Sequence, residues 1–246
     1  MLTKKGILLV AIALLASLAN AAKTITPTKP ELVDGCYHIS NAEELYYAAR
    51  YYLENLSCIK LAADIVVNEN VIKDGALNEA DTANFAVWNH FSFSQFEGIF
   101  DGQGHTISGL YVNDSTRYEV GLFSYVGGRI DDDLKNLVIK DVHLVDTYFR
   151  GGYHIGGLVG EIEDGINVTI EHCSVDGVIK ADGTAGGFVG GTDQLNDSLV
   201  VIDSYNSANV TAGYYVGGII GIVFRNGTIT IANTITAQTT FTHFTL

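Results

Sequence analysis

The chain has 246 residues, nearly half of them hydrophobic, with 27 glycines and only 2 prolines. A packed core is affordable, disorder is excluded, and turns must run through glycine and asparagine. The 28 acids outweigh 14 bases for a formal charge of −14. That excludes nucleic-acid binding and attraction to anionic membranes, which need clustered Lys and Arg, and it fits a soluble extracellular protein.

Residues 1–21 read as a signal peptide. Lys4 and Lys5 precede an apolar run from Gly6 to Leu18, and Ala19-Asn20-Ala21 follows as a small-residue cleavage site. The alternative is an uncleaved anchor, but the run is shorter than the roughly 20 residues that span a bilayer. The expectation is a mature chain from Ala22, secreted or at the cell surface, with the periplasm as a further compartment and no membrane span after cleavage.

Residues 22–31 read as a linker, and 32–57 as a strand-helix cap. The strand "GCYHIS" is followed by a helix over 41–55, opened by a capping box at Ser40 and Glu43. Ala42, Leu45, Tyr46, Ala49, Tyr52 and Leu53 share one face of it. After it comes the strand "CIKLAADIVVN". In an oxidising compartment Cys36 and Cys58 are placed to form a disulfide across this unit, with two free thiols as the alternative. Cys173 then has no partner and reads as core.

From residue 58 to 246 the chain repeats. "GGLVG" at 156–160, "GGFVG" at 186–190 and "GGIIG" at 217–221 follow a weaker "VGLF" at 120–123. Gly121, Gly157, Gly187 and Gly218 are separated by 36, 30 and 31 residues. Each unit holds strand-like pieces broken by Gly, Asn and Asp, and cannot bury its apolar side alone. Stacked copies can, so the expected fold is all-β, a parallel β-solenoid with an N-terminal capping helix. An antiparallel sandwich is the runner-up. The solenoid predicts columns such as Leu134–Ile170–Ile202 and Val142–Val178–Val210. Gly121, Gly156, Gly157, Gly186, Gly187, Gly217 and Gly218 are expected at corners, supplying positive φ and room for close backbone approach. A polar corner is expected near Asn136, His172, Ser204 and Asn233, with His172 a stacked residue rather than a base.

These glycine motifs, with "FEGIFDGQGHTISGLYV" at 96–112, resemble the GLUG-motif repeats of bacterial secreted and cell-surface proteins over roughly residues 33–233. The resemblance implies a right-handed parallel β-helix, export, an adhesin-like role and no catalytic residues. Some members carry a protease or sorting domain; this chain shows neither and reads as a short or truncated member.

Catalytic signatures are absent from the sequence: there is no H-E-x-x-H, G-x-S-x-G, phosphate loop, C-x-x-C or G-x-G-x-x-G. No metal or other cofactor is expected. Glu171 and Asp203 read as an outward carboxylate pair of the spacing a retaining glycosidase uses, but the mixed column around them fits a solvated face better. Asp131-Asp132-Asp133 reads as an acidic loop, and Asp101 and His105 as a turn. Six N-x-S/T sequons, at Asn55, Asn113, Asn167, Asn196, Asn209 and Asn226, read as by-products of Asn- and Thr-rich strands.

Two functions remain. One is a non-enzymatic surface protein binding a glycan or a cell-surface protein. The other is a carbohydrate-active enzyme, a lyase or glycosidase, on the same scaffold. A groove of carboxylates with a basic residue would favour the enzyme, and a flat face of stacked aromatics the binder. Three residues before the motif glycines stand Tyr118, His154, Thr184 and Tyr215, with Tyr153 and Tyr214 beside them. Alternation turns this row outward, and Tyr118, Tyr153, His154, Tyr214 and Tyr215 form the expected binding surface. The C-terminal coil has no visible cap, and self-association is expected there.

Overall fold

The computed structural model describes residues 22–51, 57–88, 98–127, 135–193, 198–224, 227–237 and 239–241. The signal-peptide reading, Tyr52, Leu53, Asn55, Asp131–Asp133, Leu134, Asn196 and Asn226 lie outside the described residues.

The fold is mostly β and mostly parallel. The first sheet has eight strands, in the order Glu31–Val33, Cys36–Ile39, Cys58–Leu61, Gly98–Asp101, Lys135–Lys140, Ile166–Glu171, Ser198–Ile202 and Thr228–Ala232. Its first pair is antiparallel and the rest are parallel. The second sheet holds Ile65–Val66, Thr106–Ser108, Tyr111–Asn113, His143–Gly151, Ser174–Ala181, Tyr205–Asn206, Asn209–Ala212, Ile235–Thr236 and Thr239–Phe241. A third sheet comprises Ile155–Gly156, Thr184–Gly186 and Tyr215–Gly217, and a fourth Phe123–Val126, Val159–Ile162, Val189–Thr192 and Ile220–Val223. From Lys135 to Val223 the chain visits the four sheets in the same order three times, each pass pairing in parallel with the one before.

Register explains the core. Ile59, Phe100, Ile139, Ile170 and Val201 pair in succession and are fully buried. Phe149, Ile179 and Val210 do the same in the second sheet. Alternate residues of these strands point inward, so in-register neighbours stack into apolar columns while the residues between them stay partly exposed. The expected columns were misregistered. Ile170 pairs with Val201, not Ile202. Val178 pairs with Tyr148 and Asn209 and packs outside the main core, with Val71, Phe85, Tyr111 and Tyr148. A bulge between Leu144 and Thr147 shifts the ladder there. Asp146, with φ of 54°, uses its carboxylate to accept from the backbone N–H groups of Val71 and Ile72, at 2.9 and 2.6 Å. That ties the 67–88 insertion over the second sheet.

The helix runs Ala42–Arg50. Its cap is one residue later than the expected Ser40–Glu43 box: Asn41 is extended and its side chain accepts from Glu44 N at 2.9 Å, while Glu44 accepts from Ser40 N at 2.7 Å. The same two-way satisfaction of free N–H groups results, shifted along the chain. Ala42, Leu45 and Ala48 are buried in the main core. Cys36 and Cys58 form a disulfide between neighbouring parallel strands, with Cα atoms 4.6 Å apart, and Cys173 is a buried free thiol.

None of the motif glycines has positive φ, so that part of the corner expectation fails; close approach is what they provide. A Cβ on Gly156 would lie 2.0 Å from Val159 O and 2.7 Å from Gly190 N. One on Gly190 would lie 2.4 Å from the backbone of His154 and Ile155. The third and fourth sheets therefore touch backbone to backbone through two facing glycine columns, Gly156–Gly186–Gly217 and Gly160–Gly190–Gly221. The second glycine of each motif faces the second sheet, where Gly157 abuts Val175, Gly187 abuts Asn206 and Gly218 abuts Thr236. Gly121 meets Gly156 O and Gly160 N in the same way.

The polar corners are also re-sorted. Asn167 donates to Asn136 at 3.2 Å and accepts from Ser198 N and Oγ at 3.1 and 2.7 Å, forming one ladder. His172 belongs to another, Asp141–His172–Asp203–Asn233, whose members have φ of 52, 51, 49 and 49°. Its ring nitrogens lie 3.7 Å from Asp141 and 3.8 Å from Asp203. Ser204 is buried and accepts from Cys173 N at 3.1 Å.

Candidate functional site

The turn from the second sheet into the third brings aromatic rings to the surface. Successive passes cross it at Arg117–Val120, Gly152–Ile155, Gly183–Ala185 and Tyr214–Val216. Backbone bonds tie them together: Gly152 N donates to Arg117 O, Gly183 N to Gly152 O, and Tyr214 N to Gly183 O, at 2.6, 2.6 and 2.8 Å. Val120 bridges Ile155, Ile155 pairs with Ala185, and Thr184 with Tyr215. Tyr118 is therefore level with Tyr153, and Glu119 with His154.

Tyr118 and Tyr153 stack with centroids 5.4 Å apart and planes 10° from parallel. Both remain exposed, at 63% and 43%. The next pass places Gly183 there, and a Cβ on it would lie 2.7 Å from Tyr153 Cδ1. The absent side chain leaves room for the Tyr153 ring to cover that step. Tyr214 and Tyr215 follow, also exposed, at 63% and 54%. The passes are set by strand spacing, about 4.8 Å each, so the tyrosines span a line of about 15 Å.

Two expected members leave the row. Thr184 is buried. His154 turns inward, its ring falling into space left by Gly191, where a Cβ would meet its Cδ2 at 2.9 Å. His154 Nδ1 lies 2.9 Å from Glu161 Oε1, and both side chains are largely covered. The Glu161 hydrogen bond holds the His154 pKa above its ordinary value against the opposing effect of burial, with Glu119 and Asp193 adding to it. Burial raises Glu119 and Glu163, and the neighbouring Glu161 carboxylate raises both further. An acidic patch of Glu119, Glu161, Glu163 and Asp193 with one imidazole thus lies behind the tyrosines. Sequence reasoning named His154 but missed these carboxylates. The signal was Gly191 opposite Glu161, a gap that a neighbouring ring fills.

The other carboxylates do not assemble. Glu171 pairs with Lys140 and Ile202, so it is not level with Asp203, which sits with His172. Asp101 is buried, accepts from Gln103 N at 3.0 Å and pairs with Lys140 at 3.2 Å. His105 lies 3.2 Å from Asp64. Among the described residues no group of three His, Cys, Asp or Glu side chains is arranged to hold a metal ion. Among them, too, no helix is long and apolar enough to cross a membrane.

No protein-family model matches the chain. It is similar to Halomucin of Haloquadratum walsbyi, 33% identical over 109 residues, a match covering 44% of this chain and 1% of that protein. The chain therefore spans a very small part of Halomucin. It also resembles a crystal structure from Bacteroides ovatus described as a proposed immunoglobulin A1 protease, with 18% identity, a TM-score of 0.45, and coverage of 85% of this chain and 77% of that one. A likeness at that score carries neither fold nor function to this chain.

Proposed function

We propose that this chain is a non-enzymatic, exported right-handed parallel β-helix of GLUG-like coils, which binds a glycan or a cell-surface protein through its tyrosine row in the manner of an adhesin. The repeated passage through four parallel sheets supports the helical reading, and parallel crossovers take the right hand. The Cys36–Cys58 bond supports an oxidising compartment. The likeness to Halomucin, a mucin by name, fits a surface role.

The observation that carries the binding reading is the stacked, exposed pair Tyr118–Tyr153. Flat amphipathic rings offer an apolar face to sugar C–H groups or side chains and a hydroxyl rim for hydrogen bonds. Stacking each on a neighbour fixes them before a ligand arrives, which lowers the ordering cost of binding.

The second reading, a carbohydrate-active enzyme, is favoured by one feature: Glu119 and Glu163 are raised carboxyls beside the His154–Glu161 pair. A raised carboxyl is what a general acid requires. A glycan array and a reducing-sugar release assay, run on the same protein, separate the two. Retention of glycans or cell-surface material without sugar release supports the binder. Sugar release that is lost in Glu119→Gln supports the enzyme and overturns the first reading.

A further inference from the structure

Charge is unevenly placed around the tyrosines. Glu119, His154 and Thr184 are level in successive passes at the edge of the third sheet. Glu161 and Gly191 are level in the fourth. The two columns meet across the glycine seam, where His154 Nδ1 lies 2.9 Å from Glu161 and its ring lies over Gly191. Two residues further along the fourth sheet stand Glu163 and Asp193. They are level too: Glu163 N donates to Val126 O and Asp193 N to Ile162 O, at 2.8 and 2.9 Å.

The tyrosines therefore border a strip in which carboxylates recur in three consecutive passes: Glu119, then Glu161 and Glu163, then Asp193. Burial raises Glu119 and Glu163, and the Glu161 carboxylate raises both further, which places these groups within electrostatic reach of one another. Protonated His154 offsets Glu161. Among the described residues, Glu119, Glu163 and Asp193 form no ion pair with Lys or Arg. The two guanidinium groups that flank the tyrosines face carboxylates of their own, Arg117 at 3.5 Å from Asp114 and Arg150 at 3.9 Å from Asp182.

Such a strip repels anionic glycans, uronate polymers among them, and favours a ligand that carries ammonium groups. The period chooses between a glycan and a basic peptide. The carboxylates recur with each pass, about every 4.8 Å, close to the length of one sugar unit in an extended chain. Side chains on one face of an extended peptide recur every second residue, about every 6.6 Å, and fall out of step.

We propose that the tyrosine row takes a glycan bearing free amino groups, a polymer of the glucosamine class without its acetyl groups, laid along the passes with ammonium groups on Glu119, Glu163 and Asp193. This rests on the binding reading above and adds the charge of the ligand to it. Each ammonium donates to a carboxylate, and the sugar rings lie against Tyr118 and Tyr153.

Oligomers of glucosamine and of N-acetylglucosamine differ only at the amino group. Titrated into the full chain at mildly acidic pH, where the free amines are charged, the glucosamine oligomer is expected to bind at least tenfold tighter. That margin is expected to shrink as salt rises. Glu119→Gln, Glu163→Gln and Asp193→Asn together, with an unchanged circular dichroism spectrum, are expected to abolish the margin. Tyr118→Ser with Tyr153→Ser is expected to weaken both oligomers. Equal binding of the two oligomers, tighter binding of polygalacturonate, or oligolysine bound as tightly as the glucosamine oligomer would overturn the proposal and leave the tyrosine row standing. So would a margin that salt or the triple variant leaves intact, or a parent that binds neither oligomer. Only a parent that retains no glycan and no cell-surface material overturns the row itself, and this proposal with it.

Discussion

Tyr118 and Tyr153, 35 residues apart in sequence, stack at 5.4 Å with planes 10° from parallel. Parallel pairing of successive passes creates that contact; no local turn could. Because both rings remain exposed, they contribute little to the core. Tyr118→Ala is expected to cost about 1 kcal/mol or less, the worth of one ring pair, as read from urea unfolding. A larger loss would make the pair structural.

His154 gives the fold a pH dependence with a definite sign. Its folded pKa is raised by Glu161, so it favours the folded state fully below the unfolded value, about 6.5. That contribution fades as pH climbs through the raised value. Glu119 and Glu163, also raised, act in the same direction at lower pH, from about 4.5 upward. The melting temperature is expected to fall between pH 6 and pH 8, and His154→Gln is expected to remove most of that fall. Melting curves of the two proteins at matched ionic strength decide it.

The facing glycine columns make a sharp contrast between two substitutions. Gly190→Ala drives a methyl into the His154–Ile155 backbone at 2.4 Å. Backbone cannot give way as a flexible side chain would, so the cost is expected at about 3 kcal/mol or more. Gly104→Ala meets nothing within 4 Å and bears only a positive φ of 79°, which costs about 1 kcal/mol. Denaturation midpoints of both variants test the order.

The three cysteines should separate cleanly by chemistry. Burial pushes the Cys173 thiol up to about 12, so thiol reagents are expected to label it only after unfolding. The Cys36–Cys58 bond closes a separation of 22 residues, and Cys36→Ser with Cys58→Ser is expected to cost about 3 kcal/mol. Non-reducing peptide mapping should recover one linked pair and a free Cys173.

The glycine motifs and the disulfide were legible because each rests on residue type and short spacing. Register was not. Strands that alternate apolar and polar residues fit several alignments, and the ladder bulge between Leu144 and Thr147 leaves no mark in the pattern. The tyrosine row was misread for the same reason. Val120 pairs with Ile155 at an offset of 35, but Phe123 pairs with Val159 at 36. Counting back from the motif glycines crosses that one-residue step, which put Tyr118 beside His154 instead of Tyr153. Alternation also cannot foresee a ring turning into the space over a neighbouring strand's glycine, as His154 does over Gly191.

The most direct test replaces Tyr118, Tyr153, Tyr214 and Tyr215 together with serine. All four are exposed, so the variant should keep the circular dichroism spectrum of the parent. Pull-down of polysaccharides and cell-surface material by the two proteins is then compared. The tyrosine row as binding surface predicts that the variant loses the material its parent retains. A folded variant that retains the same material contradicts it.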